Sequence, residues 1–148
     1  MELKQLIYKG IVCQYCEQAT ELIDSSEIFG GQSFGKIYIC RSCNAYVGCH
    51  RGTDRSYGSV AKPNLRLLRH QAHHWFDAIW KNKIKKSRYN AYSWLALRLD
   101  LNKDFTHIGF FNEESCKKVI NLCSEYIKKR RPDLWEDLKL KQPQRSNI

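Results

Sequence analysis

Two Cys-x-x-Cys pairs constrain the fold of this chain more than any other feature of its sequence. The first pair is Cys13 and Cys16, and the second, after 23 intervening residues, is Cys40 and Cys43. Each pair places two thiolates on one turn, close enough to share a tetrahedral ion at bond lengths of about 2.3 Å. Four thiolates favour zinc and leave no coordination position open for water or substrate. The spacing therefore predicts one structural Zn2+ ion bound by these four cysteines.

Segments with the composition of strands flank both cysteine pairs. Residues 8–12 lead into the first pair, residues 19–23 and 36–39 lie between the pairs, and residues 45–48 follow the second. Short antiparallel strands that carry two metal-binding turns are the layout of a zinc ribbon. A redox dithiol pair or an iron–sulfur cluster would use the same residue type, but neither explains the flanking strands.

The remaining cysteines have other expected roles. Seven cysteines, an odd number, argue against a closed disulfide framework. Cys49 and His50 follow the second pair closely and could compete as ligands, although we expect Cys49 to pack inside the ribbon and His50 to face a surface or a site. Cys116 and Cys123 are one heptad apart on an apolar stripe, which predicts buried free thiols.

The second part of the chain has a helical period. Pro63 suits the first turn of a helix, and apolar residues then recur at intervals of three and four. Further helices are predicted at about 88–101 and 133–141. A third helix is predicted between these two. Asn112 is a good N-cap for it, Pro132 ends it, and its first turn is acidic and its last turn basic. The apolar stripe of the helix that begins near Pro63 consists of Leu65, Leu68, Ala72, Trp75, Phe76 and Ile79.

These patterns predict an α+β protein in two parts. Residues 1–61 form a small zinc ribbon with a polar linker at 51–61, and residues 62–148 form a mainly helical subdomain that packs on the ribbon. Residues 142–148 are expected to be a frayed tail. A length of 148 residues suits one compact domain or two small subdomains.

The charge of the chain is concentrated in the helical part. The formal net charge is +10, yet residues 1–61 contain six basic and six acidic side chains. Residues 62–148, with 19 basic and nine acidic side chains, therefore carry the whole excess. This asymmetry indicates a neutral module joined to a basic one that binds nucleic acid or another polyanion. A solvated surface that keeps the protein in solution is the alternative.

Two basic clusters are candidates for contact with phosphates. The run 81–88 has five basic residues in eight and no acid, whereas the run 128–131 also has a local role at the negative end of a helix. Aromatic residues near the first cluster could stack on unpaired bases, but we expect Trp80, Tyr89, Tyr92 and Trp94 to pack in the core. The candidate phosphate-binding residues are Lys81, Lys83, Lys85, Lys86, Arg88, Lys128, Lys129, Arg130 and Arg131.

Histidines on the first long helix form a possible secondary polar site. His70 and His74, like His73 and Asp77, are one turn apart, so either pair could supply two ligands of a second metal ion. Such an ion could activate water for phosphodiester cleavage. The sequence lacks the paired carboxylates of two-metal nucleases, and we expect a solvated polar helix face instead. The residues of this possible site are His50, Arg66, His70, His73, His74, Asp77 and His107.

The segment CRSCNAYVGCHRGT at residues 40–53 resembles a zinc-finger-containing domain family of unknown function found in bacteria and their phages. Shorter matches extend the resemblance over about residues 10–125. It implies a zinc ribbon followed by a helical part and implies no particular activity. The further matches include Gly58 to Ala61, Arg69, His74, Phe76, Asp77, Trp80, Tyr92 and His107 to Gly109.

Three classes of function fit these features. The favoured one is a zinc-ribbon accessory protein that binds nucleic acid and comes from a phage or a mobile element. The second is an adaptor or inhibitor that binds a host protein complex for transcription or defence, and the third is a metal-dependent enzyme such as a nuclease. The chain has no apolar run of the length of a membrane span and no basic-then-apolar start typical of a signal peptide. We therefore expect a cytoplasmic protein without membrane contact.

Overall fold

A three-stranded antiparallel sheet carries the cysteine pairs. The computed structural model describes residues 1–145. The strand order is β1-β2-β3, with Glu21 paired to Ile39 and Cys40 paired to Ala45. The first strand begins later than the predicted residue 19, because Ala19 instead makes an isolated bridge to Val12. The strands are β1 (Glu21–Asp24), β2 (Lys36–Cys40) and β3 (Ala45–Gly48).

A short helix that the sequence did not indicate precedes the first cysteine pair. Helix α1 spans Leu3–Tyr8, and the side chain of Gln5 accepts a hydrogen bond from the backbone N–H of Glu2 at 3.2 Å. A polar residue three positions into a helix that returns to the first backbone N–H is a capping signal. Six residues are too few to show a helical period, so the capping residue was the one feature of the sequence that could have indicated this helix.

Two isolated bridges connect the segment predicted as a polar linker to β3 and to the residue after it. Cys49 forms a bridge with Ser56, and Tyr46 forms one with Ala61, whose backbone groups exchange two hydrogen bonds. Val60 and Ala61 are buried. The prediction of a linker across residues 51–61 was therefore wrong for its last residues, since small apolar side chains in an aperiodic stretch gave no sign of burial.

Four α-helices and two short 3-10 helices, Lys103–Phe105 and Ile108–Phe110, make up most of the rest of the described chain. Asn112 caps the third of the four α-helices, accepting a hydrogen bond from the backbone N–H of Ser115 at 2.9 Å as its position predicts. Ser87 caps the second in the same way through the N–H of Asn90. The helices are α2 (Pro63–Lys81), α3 (Arg88–Leu99), α4 (Glu113–Arg130) and α5 (Pro132–Leu140).

The core of the helical part is built from one face each of α2, α3 and α4. The ring centres of Phe76 and Tyr92 are 4.4 Å apart, and this contact joins α2 to α3. The buried side chain of Arg69 joins α2 to the residue before the N-cap of α4 by donating from Nε and a terminal nitrogen to the carbonyl oxygen of Phe111. Buried residues of this core include Ala72, Trp75, Phe76, Ile79, Ala91, Leu95, Ile108, Cys116, Val119, Cys123 and Ile127.

The chain divides into two compact units. Unit 1 is Met1–Arg66 and unit 2 begins at Leu67, so the first turn of α2 belongs to unit 1. The predicted packing of the helical part on the ribbon stays a prediction. The predicted tail 142–148 lies partly outside the described residues. Among the helices of residues 1–145, none combines the length and the apolar character required to cross a membrane.

Candidate functional site

The four predicted cysteine ligands converge in unit 1. Their Sγ atoms all lie within 4.8 Å of one another, and those of Cys16 and Cys40 are 3.7 Å apart. Cys13 and Cys40 are buried, whereas Cys16 and Cys43 are half-buried. Four converging thiols with no carboxylate or imidazole among them are the donor set of a structural zinc site. The prediction of one zinc ion at these residues is confirmed.

Each cysteine pair lies at the tip of an antiparallel pairing. The bridge between Val12 and Ala19 encloses the first pair, and the pairing of Cys40 with Ala45 encloses the second. The backbone N–H of Tyr15 points to the Sγ of Cys13 at 3.4 Å. A contact of this kind orients a ligating sulfur atom and stabilises its charge.

The surroundings shift the pKa of three of the ligand thiols in different directions. The Ser42 hydroxyl, whose Oγ lies 3.4 Å from the Sγ of Cys40, is the main cause that lowers the pKa of Cys40 to about 6. Burial raises the pKa of Cys13, and burial followed by the neighbouring thiols raises the pKa of Cys43 to about 12. Zinc binds the thiolate form of cysteine, so metal binding at this site releases protons.

The other cysteines and His50 lie outside the zinc site. Cys49 is half-buried, less than the interior position that we expected, and His50 is exposed with its ring 4.3 Å from that of Tyr57. Cys116 and Cys123 are fully buried, as the apolar stripe predicts. Within residues 1–145, the four ligands form the single group of three or more metal-binding side chains that converge on one point.

Arg66 supports the sheet instead of joining the histidines. Its guanidinium carbon lies 3.7 Å from the centre of the Tyr46 ring, and one terminal nitrogen donates to the carbonyl oxygen of Ala61 at 2.5 Å. Its Nε is buried without a hydrogen-bond partner. A cation held over an aromatic face contributes about 1–2 kcal/mol when it is partly desolvated. Arg66 therefore belongs to the framework of unit 1.

Four residues of the possible secondary polar site do come together in unit 2. They line an open cleft of about 350 Å³ along α2, to which α5 contributes Leu138. His107 is exposed elsewhere, with its ring 5.3 Å from Tyr92 and 5.2 Å from Phe110. The sequence did not indicate Asn82 or Leu138, and only tertiary contact brings the latter to α2. The cleft is lined by His70, His73, His74, Asp77, Ala78, Lys81, Asn82 and Leu138.

The two basic clusters meet over one aromatic pair. The ring centres of Trp94 and Tyr126 are 4.4 Å apart. The Nζ of Lys85 lies 5.7 Å from the centre of the Trp94 ring and 5.5 Å from the centre of the Tyr126 ring. The guanidinium of Arg130 lies 3.6 Å from the centre of the Tyr126 ring. We call these four residues the basic–aromatic patch. The sequence analysis did not identify Tyr126 as part of a basic surface. Its position four residues before Arg130 on one helix indicates contact between the two side chains.

The remaining basic candidates are distributed over unit 2. Lys128 is turned toward α5, where its Nζ lies 4.6 Å from the ring of Trp135, and Lys139 approaches the same ring at 4.7 Å. Within the run 128–131, Lys128 therefore faces α5 while Arg130 belongs to the basic–aromatic patch. The other candidates are exposed: Lys81, Lys83, Lys86, Arg88, Lys129 and Arg131.

The aromatic residues near the first cluster are less buried than we expected. Tyr92 is in the core, whereas Trp80 and Trp94 are half-buried. Tyr89 is 68% exposed and lies under the Nζ of Lys103 at 3.1 Å from its ring centre. The core prediction for Tyr89 was wrong, because its position on α3 faces away from the buried side of that helix.

Comparison with known proteins places the chain in a family. A family model described as a zinc-finger-containing domain matches residues 9–126. No curated protein and no solved structure matches the chain. The matched residues include all four cysteines of the metal site and extend through most of α4. With its converging thiols and the match over most of its length, the chain belongs to the zinc-finger-containing domain family.

Proposed function

We propose that this protein binds nucleic acid through unit 2, with the zinc ribbon in a structural role. The observation that carries the proposal is the position of Lys85 and Arg130 over the same ring, that of Tyr126. Residues from two basic clusters that are far apart in the sequence thus form one surface, the basic–aromatic patch. Converging cations of this kind bind phosphates independently of base sequence.

The rings of the patch hold the cations in place. Trp94 and Tyr126 contact each other and are covered by Lys85 and Arg130, so their faces are already occupied. A preorganised guanidinium loses less side-chain entropy when it binds a phosphate. We therefore expect contact with the phosphate backbone, and a steep loss of affinity with increasing salt.

Mobility shifts of single- and double-stranded DNA and RNA at two salt concentrations test the proposal. A variant with Lys83, Lys85 and Lys86 changed to Gln should bind all sequences more weakly. If the three side chains contact phosphates, the slope of log affinity against log salt becomes shallower by about 3.

The matched control removes the same charge elsewhere. Lys4, Lys9 and Lys117 are exposed and lie outside the two clusters, so their change to Gln should leave the salt slope nearly unaltered. Equal weakening in both folded triple variants would mean that net charge alone, and not this surface, attracts nucleic acid.

A protein-binding adaptor is the second candidate function. Leu97 near the end of α3 is 82% exposed, and Leu101 and Phe105, which lie beyond that helix, are 42% and 45% exposed. A contiguous patch of exposed apolar side chains is typical of contact sites for other proteins. A complex that is captured from host cells, survives nuclease treatment and is lost in a Leu97→Ser variant would favour this function.

A further inference from the structure

The cleft on α2 contains an imidazole oriented by a carboxylate. Both carboxylate oxygens of Asp77 lie 3.5 Å from the Nδ1 of His73, and the indole Nε1 of Trp80 donates to Asp77 at 3.1 Å. A carboxylate beside Nδ1 favours the tautomer with a proton on Nδ1 and leaves Nε2 as a proton acceptor. Long contacts of this kind are common in substrate-free sites and shorten in the complex.

His73 is the histidine of the cleft whose Nδ1 faces a carboxylate, and this favours it as the base. The Nε2 of His74 lies 2.7 Å from the carbonyl oxygen of Leu138, so it donates a proton there and accepts none. The Nδ1 of His70 is buried without a hydrogen-bond partner. The side chain of His73 is 38% exposed, which leaves it accessible to a substrate in the cleft.

Lys81 connects the cleft to the acid-free basic run. It lines the cleft and is also the first of the five basic residues at 81–88. A phosphate bound in the cleft would therefore lie in a pocket that Lys81 and His73 both line. Since the cleft is open along one side of α2, it suits a polymer lying across it better than an enclosed small molecule.

We propose that this cleft cleaves RNA by metal-independent acid–base transesterification, with His73 as the base. The Nε2 of His73 removes the proton of a ribose 2′-hydroxyl, O2′ forms a bond to the adjacent phosphorus, and the P–O5′ bond breaks. O5′ takes a proton from water, and the proton held by His73 neutralises the hydroxide that remains. The products are a 2′,3′-cyclic phosphate and a 5′-hydroxyl, with no net consumption of water. Lys81 stabilises the charge that develops on the phosphoryl oxygens, and Asp77 is a positioning residue.

This inference rests on the proposed nucleic-acid binding, and the experiment separates the two. The zinc-loaded protein is incubated without added divalent cations with end-labelled RNA, the matching DNA and the 2′-O-methyl RNA. We expect cleavage of the RNA alone, with cyclic phosphate ends, and binding of all three. Binding of all three without cleavage overturns the inference and leaves the proposed function standing. Absence of binding to the 2′-O-methyl RNA and to the DNA overturns the proposed function.

Two variants assign the chemistry to the cleft. His73→Gln should lower the cleavage rate at least about 100-fold while its affinity for 2′-O-methyl RNA stays unchanged. His50→Gln, a change at the exposed histidine of unit 1, is the matched control and should cleave normally. Equal cleavage by the native protein and folded His73→Gln protein would trace the activity to a contaminant and reject the inference.

The role of Asp77 has a spectroscopic readout. In the native protein, the nitrogen-15 shifts of the His73 imidazole should report a proton on Nδ1. In Asp77→Asn the imidazole should shift toward the other tautomer, together with slower cleavage. An unchanged tautomer in the folded variant would contradict the positioning role.

Discussion

Glu17 and Asn44 occupy the same position in the two metal-binding turns, each directly after the second cysteine of its pair. Both have a left-handed backbone, with φ of 59° for Glu17 and 52° for Asn44. The backbone N–H of Glu17 donates to the carbonyl oxygen of Cys13, and that of Asn44 donates to that of Arg41. The two turns therefore share the left-handed residue but close on different acceptors, the first cysteine in one turn and the residue after the first cysteine in the other.

The left-handed position predicts a stabilising substitution. A glutamate strains the backbone in this region, whereas glycine enters it without a steric penalty. We expect Glu17→Gly to raise the free energy of unfolding of the zinc-loaded protein by about 1 kcal/mol, measured by denaturant titration. Asn44→Gly should gain less, because asparagine tolerates this conformation. A less stable Glu17→Gly protein would contradict the interpretation of strain.

Loss of one ligand should release the metal. Cys40→Ser removes one of the four converging sulfur atoms, and unit 1 has few large buried side chains to replace the binding energy of zinc. We expect elemental analysis of the purified variant to find less than one zinc ion per chain. Cys49→Ser, outside the cluster, should retain its zinc. Full occupancy in Cys40→Ser would reject the assignment of this ligand.

The buried thiols of α4 should react slowly. Cys116 and Cys123 are fully buried, and burial raises the pKa of Cys116 to about 11 and also raises that of Cys123. Since the thiolate is the reactive form, raising the pH through the neutral range should increase their labelling only slightly. Mass spectrometry of the native zinc-loaded protein should show the half-buried Cys49 modified first. Rapid labelling of Cys116 at neutral pH would contradict the packing.

Arg69 should be important for the stability of unit 2. It is buried, and its two hydrogen bonds to the carbonyl oxygen of Phe111 are 3.2 and 3.1 Å long. Arg69→Leu leaves this oxygen without these donors, so we expect a loss of about 1–3 kcal/mol in the free energy of unfolding. Urea titration measures it, with Arg98→Leu at an exposed position of α3 as the control. Equal stability of the two variants would show that the Arg69 contact contributes little.

Local chemistry made the zinc site and the helix ends predictable from the sequence. Two thiolates on one turn bind a shared ion whatever surrounds them, so the spacing of Cys13, Cys16, Cys40 and Cys43 was sufficient to identify the ligands. The cap at Asn112 likewise depends on a backbone N–H three residues away. The cap and each single cysteine pair involve neighbours in the chain, whereas the approach of the two pairs depends on the sheet, since Cys16 and Cys40 are 24 residues apart.

Tertiary packing decided which distant side chains meet. The burial of Ala61 depends on the edge of β3, the cleft on α2 depends on Leu138 from α5, and the basic–aromatic patch depends on α3 and α4 bringing Trp94 to Tyr126. A basic run in the sequence shows charge but not direction, and so Lys128 and Arg130, two residues apart, contact different rings. The spacing of the cysteines was therefore enough to predict the metal ligands. The arrangement of the basic surface depends on how the helices pack, and the sequence did not predict it.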